Sequence, residues 1–168
     1  MTLIASTGET PDTYRRVDSL EAALEANDRV IVPLALAQAA AGQLADRRFG
    51  LSVSNHAPVE EIVPFLETVD LVAVEFPAFS DGRGLSLAKR LRRAGFTGTL
   101  RASGPLIADQ FADALACGFD EVELPETMAN RQPVQQWMEA KDTISRHYQN
   151  GYGNDRSILQ KRLAAREA

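Results

Sequence analysis

The stretch DLVAVEFPAFSDGRGLSLAKRLRRAG, residues 70–95, decides the fold of this chain. Residues 70–76 form a nearly continuous apolar run rich in β-branched side chains, which is typical of a strand buried on both faces of a parallel sheet. Apolar residues then recur at helical spacing over residues 87–94, and Gly95 follows as a typical helix terminator. The stretch therefore predicts a strand and a helix joined by a glycine-rich loop.

Four more runs of the same kind extend this pattern and are predicted as strands, at residues 29–36, 49–54, 97–103 and 120–124. Strands that alternate with helices predict a parallel sheet with right-handed crossovers. We expect an α/β fold whose parallel sheet of about five βα units curls into part of a barrel of the triosephosphate-isomerase (TIM) type. A flat, doubly wound sheet is the alternative, and both arrangements put functional residues at the carboxyl ends of the strands.

The domain organisation is predicted from the same pattern. Residues 1–150 are expected to form a single α/β domain, in which residues 1–16 are a polar lead-in or a short edge element. Residues 151–168 are expected to form a charged C-terminal tail that could fold as a separate helix.

Composition and charge narrow the class of protein. The net charge is -5 and the pI is near 5.1, which argues against nucleic acid or an anionic membrane as the partner. No apolar run approaches the roughly 20 residues that a membrane-spanning helix needs. The N-terminal residues lack the pattern of a secretory signal, and the single cysteine suits a reducing compartment, so we expect a cytoplasmic protein.

The loop after the strand at residues 70–76 is the main candidate for a ligand site. Glycines let the backbone turn tightly and approach a ligand, a helix N-terminus offers free amides, and an arginine is a planar donor for an oxyanion. Residues 82–108 hold six basic side chains and no Asp or Glu. We therefore predict a small-anion site, for sulfate, sulfite or phosphate, formed by Gly82, Arg83, Gly84, Ser86 and Arg101.

A structural interpretation of the same loop stays open. Asp81 and Gly82 could make a tight turn in which Asp81 caps the following helix, and the basic residues of that helix could lie on a solvated face. The motif is neither a phosphate-binding Walker loop, which ends in Lys-Ser or Lys-Thr, nor a dinucleotide fingerprint.

Three carboxylates are weak catalytic candidates. Glu75 and Glu123 lie near the ends of predicted strands, and Asp81 lies in the glycine-rich loop, where acids, bases or metal ligands are often found. His56 follows a strand and belongs to the same face, whereas His147 is predicted on a helix surface.

No cofactor or metal site is predicted from the motifs. No zinc, iron–sulfur or haem spacing is present, and Cys117, which has no partner cysteine, is predicted to be a buried structural thiol. No flavin or nicotinamide motif is found either, so we expect no cofactor.

Several runs of the chain resemble one uncharacterised bacterial family. These runs are VIVPLAL (30–36), VAVEFPAFSDGRGLSLAKRLR (72–92), GTLRASGPLIADQ (98–110), CGFDEVEL (117–124) and SRHYQ (145–149). Together they resemble the bacterial domain of unknown function number 934, most specifically at the DGRG motif of residues 81–84.

Members of that family are often labelled as oxidoreductases with a role in sulfite reduction. The resemblance thus implies an accessory or small-anion-binding protein of assimilatory sulfite or sulfate reduction, with sulfite reductase or another sulfate-assimilation enzyme as its partner. Two alternatives remain open: an enzyme that acts on a small anionic substrate at the strand ends, and a homodimeric structural or interaction domain.

Overall fold

A computed structural model of the chain describes residues 1–44 and 47–143 of the 168. The described residues contain eight strands: β1 Thr2–Ala5, β2 Gly8–Thr10, β3 Tyr14–Arg16, β4 Arg29–Pro33, β5 Phe49–Ser54, β6 Val69–Glu75, β7 Thr99–Ser103 and β8 Glu121–Leu124. They also contain seven α-helices: α1 Leu20–Glu25, α2 Ala37–Gln43, α3 Val59–Ile62, α4 Arg83–Arg93, α5 Phe111–Ala116, α6 Glu126–Ala129 and α7 Val134–Thr143. The predicted tail at residues 151–168 and His147 lie outside the described residues.

The strands form one mixed sheet in the order β2-β1-β8-β7-β6-β5-β4-β3. From β3 to β8 each strand pairs in parallel with the next strand along the chain, whereas β1 is antiparallel to both β8 and β2. The five predicted strands correspond to β4–β8, so the parallel α/β architecture is confirmed. Residues 1–16, expected to be a polar lead-in or a short edge element, supply three further strands, of which β2 and β3 form the edges of the sheet, and this corrects the count of five to eight.

The helices cover one face of this sheet. The large hydrophobic core joins helical residues such as Leu91, Phe111 and Trp137 to one side of the strands, including Val72 and Val74. The opposite side carries a small apolar cluster, formed by Ile31, Leu71 and Ala73 with the ring of Tyr14. A doubly wound sheet reverses its strand order and places helices on both faces, so the flat alternative does not describe this chain.

The sheet is curled into a half-barrel. Its two edge strands, β2 and β3, are separated by three residues, so the Cα atoms of Thr10 and Tyr14 lie at most about 15 Å apart. Eight strands laid flat would separate the edges by about 33 Å. The short connection therefore requires strong curvature, with the helices outside and the second face of the sheet inside.

Charged side chains fill the inside of the curl. Arg101 on β7 is 1% exposed and donates two hydrogen bonds, of 2.8 and 2.9 Å, to the carboxylate of Asp12 in the β2–β3 connection. Its Nε also donates to Glu121 over 2.7 Å. Arg101 thus links the N-terminal connection to the centre of the sheet from within.

A second ion pair crosses the same interior. Arg16 on β3 contacts Glu123 on β8, with Nε 3.2 Å from Oε1, and its Nη2 donates to Ser103 over 2.9 Å. The strands that carry Arg16 and Glu123 are five places apart, a distance of about 24 Å in a flat sheet. The pair can form only because the sheet curves. We call Asp12, Arg16, Arg101, Glu121 and Glu123 the inner charge cluster.

Burial and ion pairing oppose each other in the cluster. Burial raises the pKa of Asp12, but hydrogen bonds from Arg101 and from the amide of Tyr14 outweigh it and leave this pKa lowered. Burial raises the pKa of Glu121 above its ordinary value despite the hydrogen bond from Arg101. The positive charge and the hydrogen bonds of Arg101 therefore offset the cost of burying the carboxylates of Asp12 and Glu121 inside the sheet.

One glycine is required where β7 ends. Gly104 has a φ of +142°, and a Cβ atom there would lie 2.1 Å from the carbonyl oxygen of Phe76. Its amide also donates to the carbonyl of Glu123 over 3.0 Å. The absence of a side chain therefore lets the ends of three neighbouring strands come together.

We expect Gly104→Ala to destabilise the protein by about 2–4 kcal/mol, because it adds a backbone clash to an unfavourable φ. The matched control is Gly42→Ala in α2, where a Cβ atom meets nothing within 4 Å. The control should stabilise by about 0.5–1 kcal/mol through helix propensity. Urea unfolding followed by circular dichroism measures both, and equal effects would contradict the proposed packing at residue 104.

We expect Arg101→Met to destabilise the protein by about 3–5 kcal/mol at pH 7, because it leaves buried carboxylates without their counter-charge. The loss should shrink at acidic pH, where those carboxylates take up protons. Arg93→Met, at an exposed position of α4, is the control and should change the free energy of unfolding by about 0.5 kcal/mol or less. A loss at residue 101 as small as that of the control would show that the cluster does not hold the curl.

Candidate functional site

A cleft of about 470 Å³ opens at the carboxyl ends of β5, β6 and β7. The parallel register explains why side chains converge there, since Ser54 pairs with Glu75 and Glu75 pairs with Ser103. The lining includes Arg16, Asn55, His56, Glu75, Arg83 and Ser103. The cleft thus occupies the face on which the sequence predicts functional residues.

The glycine-rich loop forms one side of the cleft. The strand ends at Glu75, and α4 begins at Arg83 with Gly82 as its N-cap residue. Gly84 lies so close to Phe76 that a Cβ atom would come within 2.4 Å of the ring. This close approach holds the first turn of α4 against the strand end and thereby positions Arg83 at the rim.

Arg83 forms an ion pair with Asp81. Its Nε lies 2.9 Å from Oδ1 of the carboxylate, and its Nη2 lies 2.6 Å from Oδ2. These hydrogen bonds, with a contribution from the amide of Asn55, lower the pKa of Asp81, so the carboxyl stays ionised at neutral pH and is not a general acid there. The Arg83 side chain is 62% exposed, and Nη1 bonds to no group in residues 1–44 or 47–143. One edge of the guanidinium is therefore open to the cleft.

Asn55 is a functional candidate that the sequence reasoning missed. It follows β5, is 3% exposed and lines the cleft beside Arg83. Its Nδ2 is buried and makes no well-formed hydrogen bond within the described residues, although the amide lies near enough to the Asp81 carboxylate to help lower its pKa. An unpaired buried donor costs about 1–3 kcal/mol, and such groups concentrate at functional sites. The available signal was its place directly after a strand, between Ser54 and the candidate His56.

His56 lies in the same cleft, as its place after β5 predicts. The Oγ atom of Ser54 lies 2.7 Å from its Nδ1, and the ring is exposed. The hydroxyl and the imidazole therefore form a local hydrogen-bonded pair at the cleft wall.

Glu75, one of the three carboxylate candidates, also lines the cleft. Its Oε1 accepts a hydrogen bond of 2.6 Å from the Oγ of Ser52, which in turn accepts one of 3.2 Å from Nη1 of Arg16. The side chain of Glu75 is exposed, and no cation in the described part of the chain lies within ion-pair distance of it. The carboxylate is thus oriented by Ser52 but keeps its negative charge unbalanced.

Two of the predicted site residues, Arg101 and Glu123, are not among the residues that line the cleft. Arg101, predicted to join the anion site, is buried in the inner charge cluster, where Asp12 and Glu121 occupy its guanidinium, so we leave it out of the candidate site. Glu123 is likewise 3% exposed and paired with Arg16.

The other members of the predicted anion loop differ in their accessibility. Gly82 and Ser86 are exposed, whereas Gly84 is buried beneath Phe76 and acts through packing. Arg83 is the member of the predicted set whose side chain lines the cleft.

Cys117 lies at the C-cap of α5 and is 8% exposed. Burial raises the pKa of its thiol, which favours the protonated, unreactive form at neutral pH.

Residues 1–44 and 47–143 contain no group of three or more His, Cys, Asp or Glu side chains arranged to hold a metal ion. In the same part of the chain, no helix combines the length and the apolar character needed to cross a bilayer.

A family model described as a bacterial protein of unknown function (DUF934) matches residues 50–159, which is more than half of the chain and includes all but the first residue of β5, the strands β6–β8 and the whole glycine-rich loop. No curated protein matches the sequence. The chain therefore belongs to the DUF934 family of bacterial proteins of unknown function.

Proposed function

We propose that this protein binds a small oxyanion in the cleft and serves as an accessory binding protein of sulfite or sulfate reduction. The observation that carries the binding proposal is the buried, unpartnered Nδ2 of Asn55 beside the open edge of Arg83. A bound oxyanion would supply the acceptor that this amide lacks.

The chemistry of the donors favours an anion. An amide N–H and a guanidinium both donate and do not accept through these atoms, so the matching ligand group is an acceptor with negative charge. The N-terminus of α4, a helix of 11 residues with no acidic residue in its first turn, adds the positive end of its dipole at the same rim. Asp81 opposes binding, since its carboxylate competes for Arg83.

The pathway part of the proposal is supported by the resemblance of the sequence to a family labelled with sulfite reduction. Sulfite and sulfate are compact oxyanions of the kind that amides and a guanidinium bind. In this role the protein would present or store the anion for a partner enzyme, for which sulfite reductase is the first candidate. A redox reaction of its own would need a flavin, a nicotinamide or a metal, because these side chains cannot supply electrons.

An enzyme acting on a small anionic substrate is the second candidate function. The observation that favours it is the Ser54–His56 pair, with 2.7 Å between Oγ and Nδ1, in the same cleft as the carboxylate of Glu75. A nucleophile or base beside an anion-binding group is the arrangement that acyl or phosphoryl transfer requires.

We expect sulfate and sulfite to bind the wild-type protein and to shift the side-chain amide resonances of Asn55 in a nuclear magnetic resonance titration. Arg83→Gln should weaken binding by about tenfold, in keeping with the loss of a charged hydrogen bond. Asp81→Asn should strengthen binding, because it frees the guanidinium from its competing carboxylate. Arg93→Gln makes the same charge change as Arg83→Gln at an exposed site on α4 and should leave binding unchanged.

Asn55→Ala separates a binding role from a structural one. It should weaken anion binding by about tenfold and change the free energy of unfolding by no more than about 1 kcal/mol, since the Nδ2 that it removes makes no well-formed hydrogen bond within the described residues. Retained binding, or a large loss of stability without an effect on binding, would refute the assignment of Asn55 as an anion donor.

The pathway is tested by deleting the gene in its host and comparing growth on sulfate with growth on cysteine. A growth defect confined to sulfate, together with co-purification of sulfite reductase, is the expected result. Equal growth on both sources and no co-purifying reductase would remove the pathway assignment and leave the binding proposal intact.

A further inference from the structure

We propose that the ligand of the cleft is a small organic zwitterion, with an oxyanion at one end and an ammonium group at the other, rather than an inorganic oxyanion alone. The inference rests on the anion site proposed above and adds a second subsite at Glu75. It follows from the size of the cleft, from its unbalanced carboxylate and from the apolar residues in its lining.

The cleft is too large for one inorganic oxyanion. Its volume of about 470 Å³ falls within the range of about 300–1,000 Å³ that is usual for sites of small organic ligands. Sulfate has five heavy atoms and would contact only the Arg83 and Asn55 side, leaving the rest of the cleft to water. A molecule with a carbon chain uses the remaining space.

The second subsite is the carboxylate of Glu75. Ser52 donates to Oε1 and so fixes the orientation of the group, while no cation of the described residues balances its charge. Arg16, the other arginine of the lining, is engaged by Glu123, Ser103 and Ser52 and reaches Glu75 only through the Ser52 hydroxyl. The cleft thus presents a carboxylate that a ligand cation can pair with.

The lining of the cleft also includes apolar residues. Phe76 and Pro77 follow Glu75 in the chain and form an apolar part of the cleft wall. A short aliphatic segment of a ligand would lie against this wall and remove apolar surface from water. A dianion without a positive group would instead bring its charge close to Glu75, which is unfavourable.

A matched series of sulfonates tests the inference. Ethanesulfonate, isethionate and taurine share the sulfonate and a two-carbon chain; isethionate adds a hydroxyl group and taurine an ammonium group. For the wild-type protein we expect taurine to bind about three- to tenfold more tightly than ethanesulfonate, as one partly solvated ion pair would give. Isethionate should fall between them, because a hydroxyl donates to Glu75 without a charge.

The variant Glu75→Gln should remove the preference for taurine and leave ethanesulfonate binding unchanged or slightly stronger. Glu25→Gln, which makes the same charge change at an exposed position on α1, should keep the preference. Calorimetric titration at constant ionic strength measures all these affinities. The same titration of β-alanine against propionate extends the comparison to a carboxylate as the oxyanion.

The outcomes separate this inference from the proposed function. If ethanesulfonate and sulfate bind in an Arg83-dependent way but taurine has no advantage, or keeps its advantage in Glu75→Gln, the anion site stands and the zwitterion proposal is overturned. If no compound of the series and no sulfate binds the wild-type protein, both proposals fail.

Discussion

The architecture depends on the charge of Arg101 inside a curled sheet. Strands that are five places apart approach each other across the interior, and the connection between β2 and β3 must cross the remaining gap. Arg101 on β7 bonds to Asp12 in that connection and to Glu121 on β8, so one guanidinium holds the connection between the two edge strands against the middle of the sheet. Without this guanidinium the buried carboxylates would repel each other. The charged inner face of the sheet would then be more stable in contact with water than buried inside the curl.

The cleft follows from the same curvature. Parallel strands that end at one level and bend around a common axis bring the residues after them together, so Asn55 after β5 lies beside the loop that follows β6. Arg16 serves both parts, since it pairs with Glu123 below and lines the cleft above. Arg16 is therefore a direct contact between the inner charge cluster and the candidate site. The cleft itself holds the oriented carboxylate of Glu75 and the buried amide of Asn55.

Local sequence patterns predicted much of the fold, and the strands that they did not predict have physical features in common. Apolar β-branched runs predicted β4–β6, whereas β7 and β8 alternate apolar residues that face the helices with charged residues that face the interior of the curl. The strands β1–β3 were missed because they are only three or four residues long, and β2 and β3 are largely polar. Such strands form because neighbouring strands offer them hydrogen bonds, a long-range condition that leaves little trace in the segment itself.

The sequence by itself determined the order of strand and helix, the edge of the sheet at which the candidate residues lie, and the glycine-rich loop between β6 and α4. Each of these is local, since periodicity and glycine conformation act over a few neighbouring residues. Only the tertiary structure decided that Arg101 lies in the interior and that Asn55 lies in the cleft with an unpaired amide. The partners of a long or polar side chain depend on which distant strands the curvature brings within its reach, and no segment of the chain specifies that curvature alone.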